Sequence, residues 1–127
     1  MKIAKPDTVR KPGASEWELK ELMERLDGDE ELLRELLAIF QQDARTNLFK
    51  ARDALVMGDF ARLTRVAHTL KGMLRNLSMG AAGRTATALE AAAREETMEE
   101  SRQRLEQLGG ELEGLFLAVE ARLAEVK

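Results

Sequence analysis

The stretch Leu63-Thr64-Arg65-Val66-Ala67-His68-Thr69-Leu70-Lys71-Gly72-Met73-Leu74-Arg75-Asn76-Leu77 decides the fold. Its apolar residues, Leu63, Val66, Ala67, Leu70, Met73, Leu74 and Leu77, recur at spacings of three and four. At roughly 100° per residue they form one stripe along an α-helix. His68 is the single histidine among 127 residues, and it projects roughly 160° from the centre of that stripe. Gly72 falls on the same outer face one turn later, and Thr64, Arg65, Lys71 and Arg75 flank the two. The helix is expected to turn its imidazole toward water, between cations, beside a bare stretch of backbone.

A lone histidine is ordinarily an unreactive surface or core residue. The helical phase argues against a core role here. With no cysteine and no second histidine in the chain, a metal site lacks its usual ligands. Gly72 favours a functional role, because glycine inside a helix costs ~1 kcal/mol relative to alanine. Its missing side chain lets another surface approach the ring closely. The cations are either an ordinary solvated face or, for Lys71 at i+3 and Arg75 at i+7, groups able to serve a phosphoryl group on His68.

His68-Thr69-Leu70-Lys71-Gly72, preceded by Ala67 and followed by Asn76-Leu77, resembles the signature of histidine-containing phosphotransfer (HPt) domains. The resemblance extends to Gly28-Asp29 with Glu31-Leu32-Leu33, Glu35-Leu36-Leu37 and Phe40, to Ala54-Leu55 with Gly58-Asp59, and to Leu89-Glu90 with Arg94. It covers about residues 16 to 125. It implies that His68 accepts and returns a phosphoryl group, at Nε2, between the aspartates of response-regulator receiver domains. Lys71 would then offset phosphate charge and Gly72 would admit the partner's loops. Thr64, Arg65, Thr69 and Arg75 would contact that partner. Implied partners are receiver domains and a sensor histidine kinase, and the chain would be a phosphocarrier rather than an enzyme. It would need no cofactor of its own, with Mg2+ held by the receiver, and would act as a cytoplasmic monomer. The chain departs from the family at Ser78-Met79, where a small Gly-Ala pair is usual, and at Met73 and Arg75, which are larger than usual.

Composition agrees independently. A chain of 127 residues suits one domain with one core. It is 44% hydrophobic and 34% charged, with two prolines and 4% aromatics, a profile that suits a helical bundle cored by Leu, Ala, Val and Met. The net charge of −3 offers no general attraction to nucleic acid, and no basic-aromatic interleaving suggests base stacking. No apolar run approaches the ~20 residues of a membrane span, and no signal core follows the basic start. The absence of cysteine is compatible with a reducing cytosol. No glycine-rich nucleotide loop is present, and the acidic residues lack metal-site spacing.

In chain order, residues 1 to 14 read as a tail or linker, and residues 15 to 127 as the domain. Ser15-Glu16-Trp17-Glu18 has the form of a capping box opening a short helix, with Trp17 expected on the core. Gly28 ends that helix and Asp29 caps the next, which runs from about Glu30 to Met57 without glycine or proline. Gly58 stops it, and Asp59 caps the histidine helix. Ser78 is expected to cap a fourth helix, about Ala81 to Glu95, that is rich in alanine. Thr97-Met98-Glu99-Glu100 reads as a second capping box opening the last helix. Gly109-Gly110 should weaken or kink that helix without breaking it, since its apolar stripe keeps phase across the pair.

The expected fold is all-α: an antiparallel up-and-down four-helix bundle with a short N-terminal cap helix. Two other functions stay open at this stage. One is the phosphotransfer domain of a chemotaxis-type histidine kinase; the other is a non-catalytic helical adaptor.

Overall fold

The computed structural model describes residues 14–125, which form five α-helices and no strand. They are α1 (Ala14–Arg25), α2 (Glu30–Met57), α3 (Phe60–Asn76), α4 (Gly80–Arg94) and α5 (Met98–Ala124). Residues 1–13, which hold most of the expected tail, lie outside the described residues.

Local chemistry sets the ends of α2 and the start of α3. Asp29 accepts the Leu32 N–H at 3.1 Å, satisfying one of the unpaired donors of the first turn. Gly58 closes α2 in the left-handed conformation, at φ 68°, where a Cβ would be strained. Asp59 then accepts the Arg62 N–H at 3.0 Å, so two residues separate one long helix from the next. The expected bounds of Glu30 and Met57 hold.

The helices bury one leucine-rich core that includes Leu33, Leu37, Leu70, Leu74, Leu89 and Leu112. At its centre Phe40 meets Phe116 with ring centroids 6.0 Å apart and planes inclined by 49°, a tilted pairing favoured by the ring quadrupoles. Helix α2 packs on α3 and α5, and α4 packs on the same two, closing a ring of four. Helix α1 rests on α2 and α5. The most extensive pairing is that of α3 with α4. Ala82, Gly83, Ala86 and Ala93 are buried there, and small side chains allow helix axes to approach closely.

Four local expectations are corrected. Helix α1 starts at Ala14, so Ser15 lies inside it and Glu18 is not the partner of an N-cap Ser15. Its Oε2 instead accepts the Ala81 N–H at 3.4 Å, capping α4 from another helix. Trp17 does not pack on the core: it is 68% exposed, with Lys20 Nζ 5.5 Å from its ring centre. The stripe of α1 is Leu19, Leu22, Met23 and Leu26, and Trp17 stands roughly 200° around the helix from Leu19. Ser78 does not cap α4; it turns the chain at φ 62°, and its hydroxyl accepts from Arg25. Met79 occupies the N-cap, and α4 starts at Gly80. Thr97 is the N-cap of α5, but its hydroxyl donates to the Ala92 carbonyl at 3.1 Å. Glu100 pairs with Arg104 at 2.7 Å, so that capping box does not form either.

Helix α5 runs unbroken through Gly109-Gly110. Gly109 is buried under Arg52 of α2, and a Cβ there would stand 2.7 Å from the guanidinium. This glycine makes room for a side chain from the neighbouring helix.

Candidate functional site

His68 stands midway along α3 with 66% of its side chain exposed, on the outer face that the helical phase implies. Across the groove, α4 presents Glu90, four residues beyond Ala86 on the same buried face. Its side chain is only 6% exposed. An isolated carboxylate cannot stay charged in such surroundings without partners. Three converge on it. His68 Nδ1 lies 2.9 Å from Oε2, Arg94 Nη2 lies 3.0 Å from the same oxygen, and Lys71 Nζ lies 2.8 Å from Oε1.

Burial on its own pushes the Glu90 pKa up, and it is the largest single influence. The hydrogen bonds from Lys71, His68 and Arg94 together outweigh it and bring the pKa from 4.5 down to about 2. Glu90 is therefore ionised at neutral pH and can only accept hydrogen bonds. The His68 nitrogen facing it must be the one that carries the proton. In the neutral ring the lone pair then resides on Nε2, on the side of the imidazole away from Glu90. A buried carboxylate thus selects the tautomer and holds the ring's orientation. What results is an exposed nitrogen nucleophile, with an anion behind it to offset positive charge that develops on the ring.

The other expected site residues divide into two groups. Lys71 is not one of the solvated cations of the outer face. It bends across to Glu90 and is only 20% exposed, because its long stem reaches a carboxylate that helical phase could not reveal. Arg65 and Arg75 are exposed, and the aliphatic part of Arg75 passes over Gly83 of α4. The hydroxyls of Thr64 and Thr69 donate to the carbonyls of Phe60 and Arg65, at 2.8 and 3.2 Å, each one turn back. Gly72 is exposed, and a Cβ built on it meets no atom within 4 Å. Nothing in the fold requires glycine there.

Scanned against protein-family models, residues 35–122 match the Hpt domain. The chain belongs to the Hpt domain family. Hpt domains perform histidine phosphotransfer in two-component signalling, as carriers rather than classical enzymes, and interact with receiver domains and kinases. The chain matches no curated protein and no solved structure in the corresponding searches. Among the described residues, no helix of this Hpt domain is long and apolar enough to cross a membrane. Nor do any three of the described histidine, aspartate and glutamate side chains gather where they could hold a metal ion.

Glu90 is the residue that sequence reasoning left out of the site. One signal was available: it is a charged residue in the apolar register of α4, one turn from Ala86 and next to Leu89. Lys, Glu, Arg and Asp are almost never fully buried unless paired. That register position therefore demanded a cationic partner somewhere in the fold.

Proposed function

We propose that this Hpt domain relays a phosphoryl group between receiver-domain aspartates, with His68 as the residue phosphorylated. The contact between His68 Nδ1 and buried Glu90 carries the proposal, because it leaves Nε2 as the free nucleophile of an exposed ring. In the forward step the Nε2 lone pair attacks the phosphorus of a receiver's aspartyl phosphate. The N–P bond forms as the P–O bond to the aspartyl group breaks, and the carboxylate leaves with the electron pair. The Nδ1 proton stays on the ring, held toward Glu90, whose charge offsets that of the phosphorylated imidazole. Return of the phosphoryl group to a second receiver reverses these bond changes.

Lys71 stabilises phosphate charge from its place at the edge of the Glu90 cluster, and Gly72 leaves room for the partner. Thr64, Arg65, Thr69 and Arg75 surround the contact. The receiver brings the Mg2+ that phosphoryl transfer ordinarily requires, and a sensor kinase supplies the phosphoryl group upstream. The ring of α2 to α5 is read as an antiparallel up-and-down four-helix bundle with α1 as its cap. Its two- and three-residue connections support this, since short loops join antiparallel neighbours. Residues 15 to 127 form the domain and residues 1 to 14 a tail, acting as a monomer in the cytoplasm.

The test is to incubate the chain with a panel of receiver domains phosphorylated by acetyl phosphate and Mg2+, then map the modified residue. Acid-labile, base-stable phosphate on His68 is expected. Transfer to any other residue, or none from any receiver, would overturn the proposal.

A further inference from the structure

Two turns beyond His68, where α3 and α4 run side by side, a cleft of about 410 Å3 opens between Arg75 and Arg84, with Gly80, Gly83 and Thr87 completing its lining. Gly83 forms its buried floor, and the Arg75 stem lies against α4 there, with Cγ 3.4 Å from the position of a Cβ. Arg84 Nη1 passes close to Gly80, 3.4 Å from the position of a Cβ. The Thr87 hydroxyl donates to the Gly83 carbonyl at 2.9 Å, so Arg75 and Arg84 are the cationic donors among the lining residues. At this end of α4, Glu18 of α1 accepts the Ala81 N–H. Glu18 also feels the charge of Arg84. Among the described residues neither Arg75 nor Arg84 forms a salt bridge, although most arginines of α2 and α5 do. Two exposed, unpaired forks over a glycine floor suit a carboxylate, which arginine can grip with paired N–H donors.

We infer that this cleft is a specificity site that receives an aspartate or glutamate side chain from the docking face of the receiver domain. The inference rests on the phosphotransfer reading and adds where the partner's acidic group lies. The charge distribution supports it. From Phe60 to Leu89 the chain has five cations and no carboxylate, within a protein of net charge −3. Of these five, Arg62 pairs with Asp53 and Lys71 with Glu90. That leaves Arg65, Arg75 and Arg84 as exposed cations without a salt bridge among the described residues, and these steer an acidic surface toward the α3–α4 face. Arg75 lies seven residues from His68, roughly 10 Å along the helix axis. A carboxylate held there cannot touch the transferring phosphoryl group. The cleft therefore acts on association and register, and the chemical step is left to His68 and its neighbours.

That division is testable with the full chain and receiver domains phosphorylated by acetyl phosphate, with transfer to His68 followed against receiver concentration. Arg75→Ala with Arg84→Ala is expected to raise the half-saturating receiver concentration about tenfold and to flatten its salt dependence. The rate at saturation should stay within about twofold of the parent's. Arg75→Lys with Arg84→Lys keeps the charge but loses the fork, and should fall between them. Arg102→Ala with Arg104→Ala removes the same charge from α5 and should leave half-saturation near the parent value. Unchanged half-saturation in the alanine pair would overturn the cleft, while transfer by the parent chain would leave the phosphotransfer reading standing. An equal effect from the α5 pair would reduce the phenomenon to net charge and also overturn it. A loss confined to the saturating rate would move these arginines into the chemistry, against the inference. If the parent chain neither bound any receiver nor accepted phosphate from it, the phosphotransfer reading would fall and the cleft with it.

Discussion

Helices α2 and α5 are joined by charges that satisfy one another, whereas α3 and α4 gather charges that a partner can use. On the first pair, Glu30 is held by Arg122 at 2.8 Å and by Arg34 at 3.0 Å. Arg34 also donates to the Leu123 carbonyl at 2.8 Å, and Arg45 bridges to Glu120 at 3.1 Å while covering the face of Phe116. Hydrogen bonding to Arg122 lowers the Glu30 pKa. These contacts lie along the surface and tie two long helices in register. On the second pair, one buried carboxylate faces His68, Lys71 and Arg94, while Arg65, Arg75 and Arg84 stand exposed. The first arrangement uses charge to hold the fold; the second holds a nucleophile ready and leaves positive charge for an acidic surface. The same residue types serve stability or function according to whether their partners lie within the chain.

The largest effect should come from His68→Gln, which would abolish phosphoryl acceptance outright. Because most of the ring lies in solvent and Lys71 and Arg94 stay on Glu90, the melting temperature should move by no more than about 2 °C. A drop of several degrees would place His68 among the residues that hold the fold and blur the contrast between the two helix pairs.

Glu90 sharpens it further, because it serves both fold and site. Glu90→Ala leaves Lys71 mostly buried without its anion and should cost about 2 kcal/mol, read as a melting temperature lower by roughly 5–10 °C. Glu90→Gln keeps the shape but can donate as well as accept, so it no longer dictates the His68 tautomer. Transfer should slow at least about tenfold, and nitrogen NMR should show the neutral ring losing its uniform Nδ1–H form. The pH dependence carries a definite sign. A carboxylate whose folded pKa lies below its unfolded value stabilises the fold above the unfolded pKa. For Glu90 that stabilisation is lost as pH falls from 4.5 to about 2. Water around the exposed partners reduces the contribution to on the order of 1–2 kcal/mol. Denaturant titrations across this window should show a shallower acid loss in Glu90→Gln than in the parent. Identical slopes would mean that the carboxylate is not held by the cluster.

At Gly72 the two demands separate. Open space around its Cβ position means that alanine should stabilise by up to ~1 kcal/mol, and glutamine should keep much of that gain. Transfer should nonetheless slow, with Gly72→Gln slower than Gly72→Ala, since either side chain stands one turn from His68. Melting curves and transfer time courses on the same preparations decide the matter; unimpaired transfer by Gly72→Gln would mean that partners do not dock over this turn.

The smallest effect belongs to the α2–α5 pair. Arg45→Ala removes an exposed ion pair and a guanidinium packed on Phe116, and it should lower the melting temperature by only a few degrees. Transfer rate and receiver affinity should be unchanged. A loss of transfer would extend the functional surface to the far side of the helix ring.

Wherever the deciding interaction lies within one or two helical turns, the sequence by itself determined this protein. Asp29, Gly58 and Asp59 set helix ends through bonds to residues no more than four positions away, and the three-and-four spacing of leucines placed the core. The same period put His68 on the outside, and the open surroundings of Gly72 agree with its expected face. Tertiary structure decided which helix lies next to which, and the corrections at Glu18, Lys71 and Glu90 depend on that. Glu18 caps α4 rather than its own helix's Ser15-led turn, because Ser15 lies inside α1 and the α4 N-terminus comes within reach of its carboxylate. Lys71 leaves the solvated face, and Glu90 becomes the anchor of the site, because helices rich in alanine bring positions 22 residues apart to within 2.9 Å. A side chain's nearest partner along the chain is set by helical geometry, but its nearest partner across a helix interface is set by packing. The chemistry at His68 depends on the second.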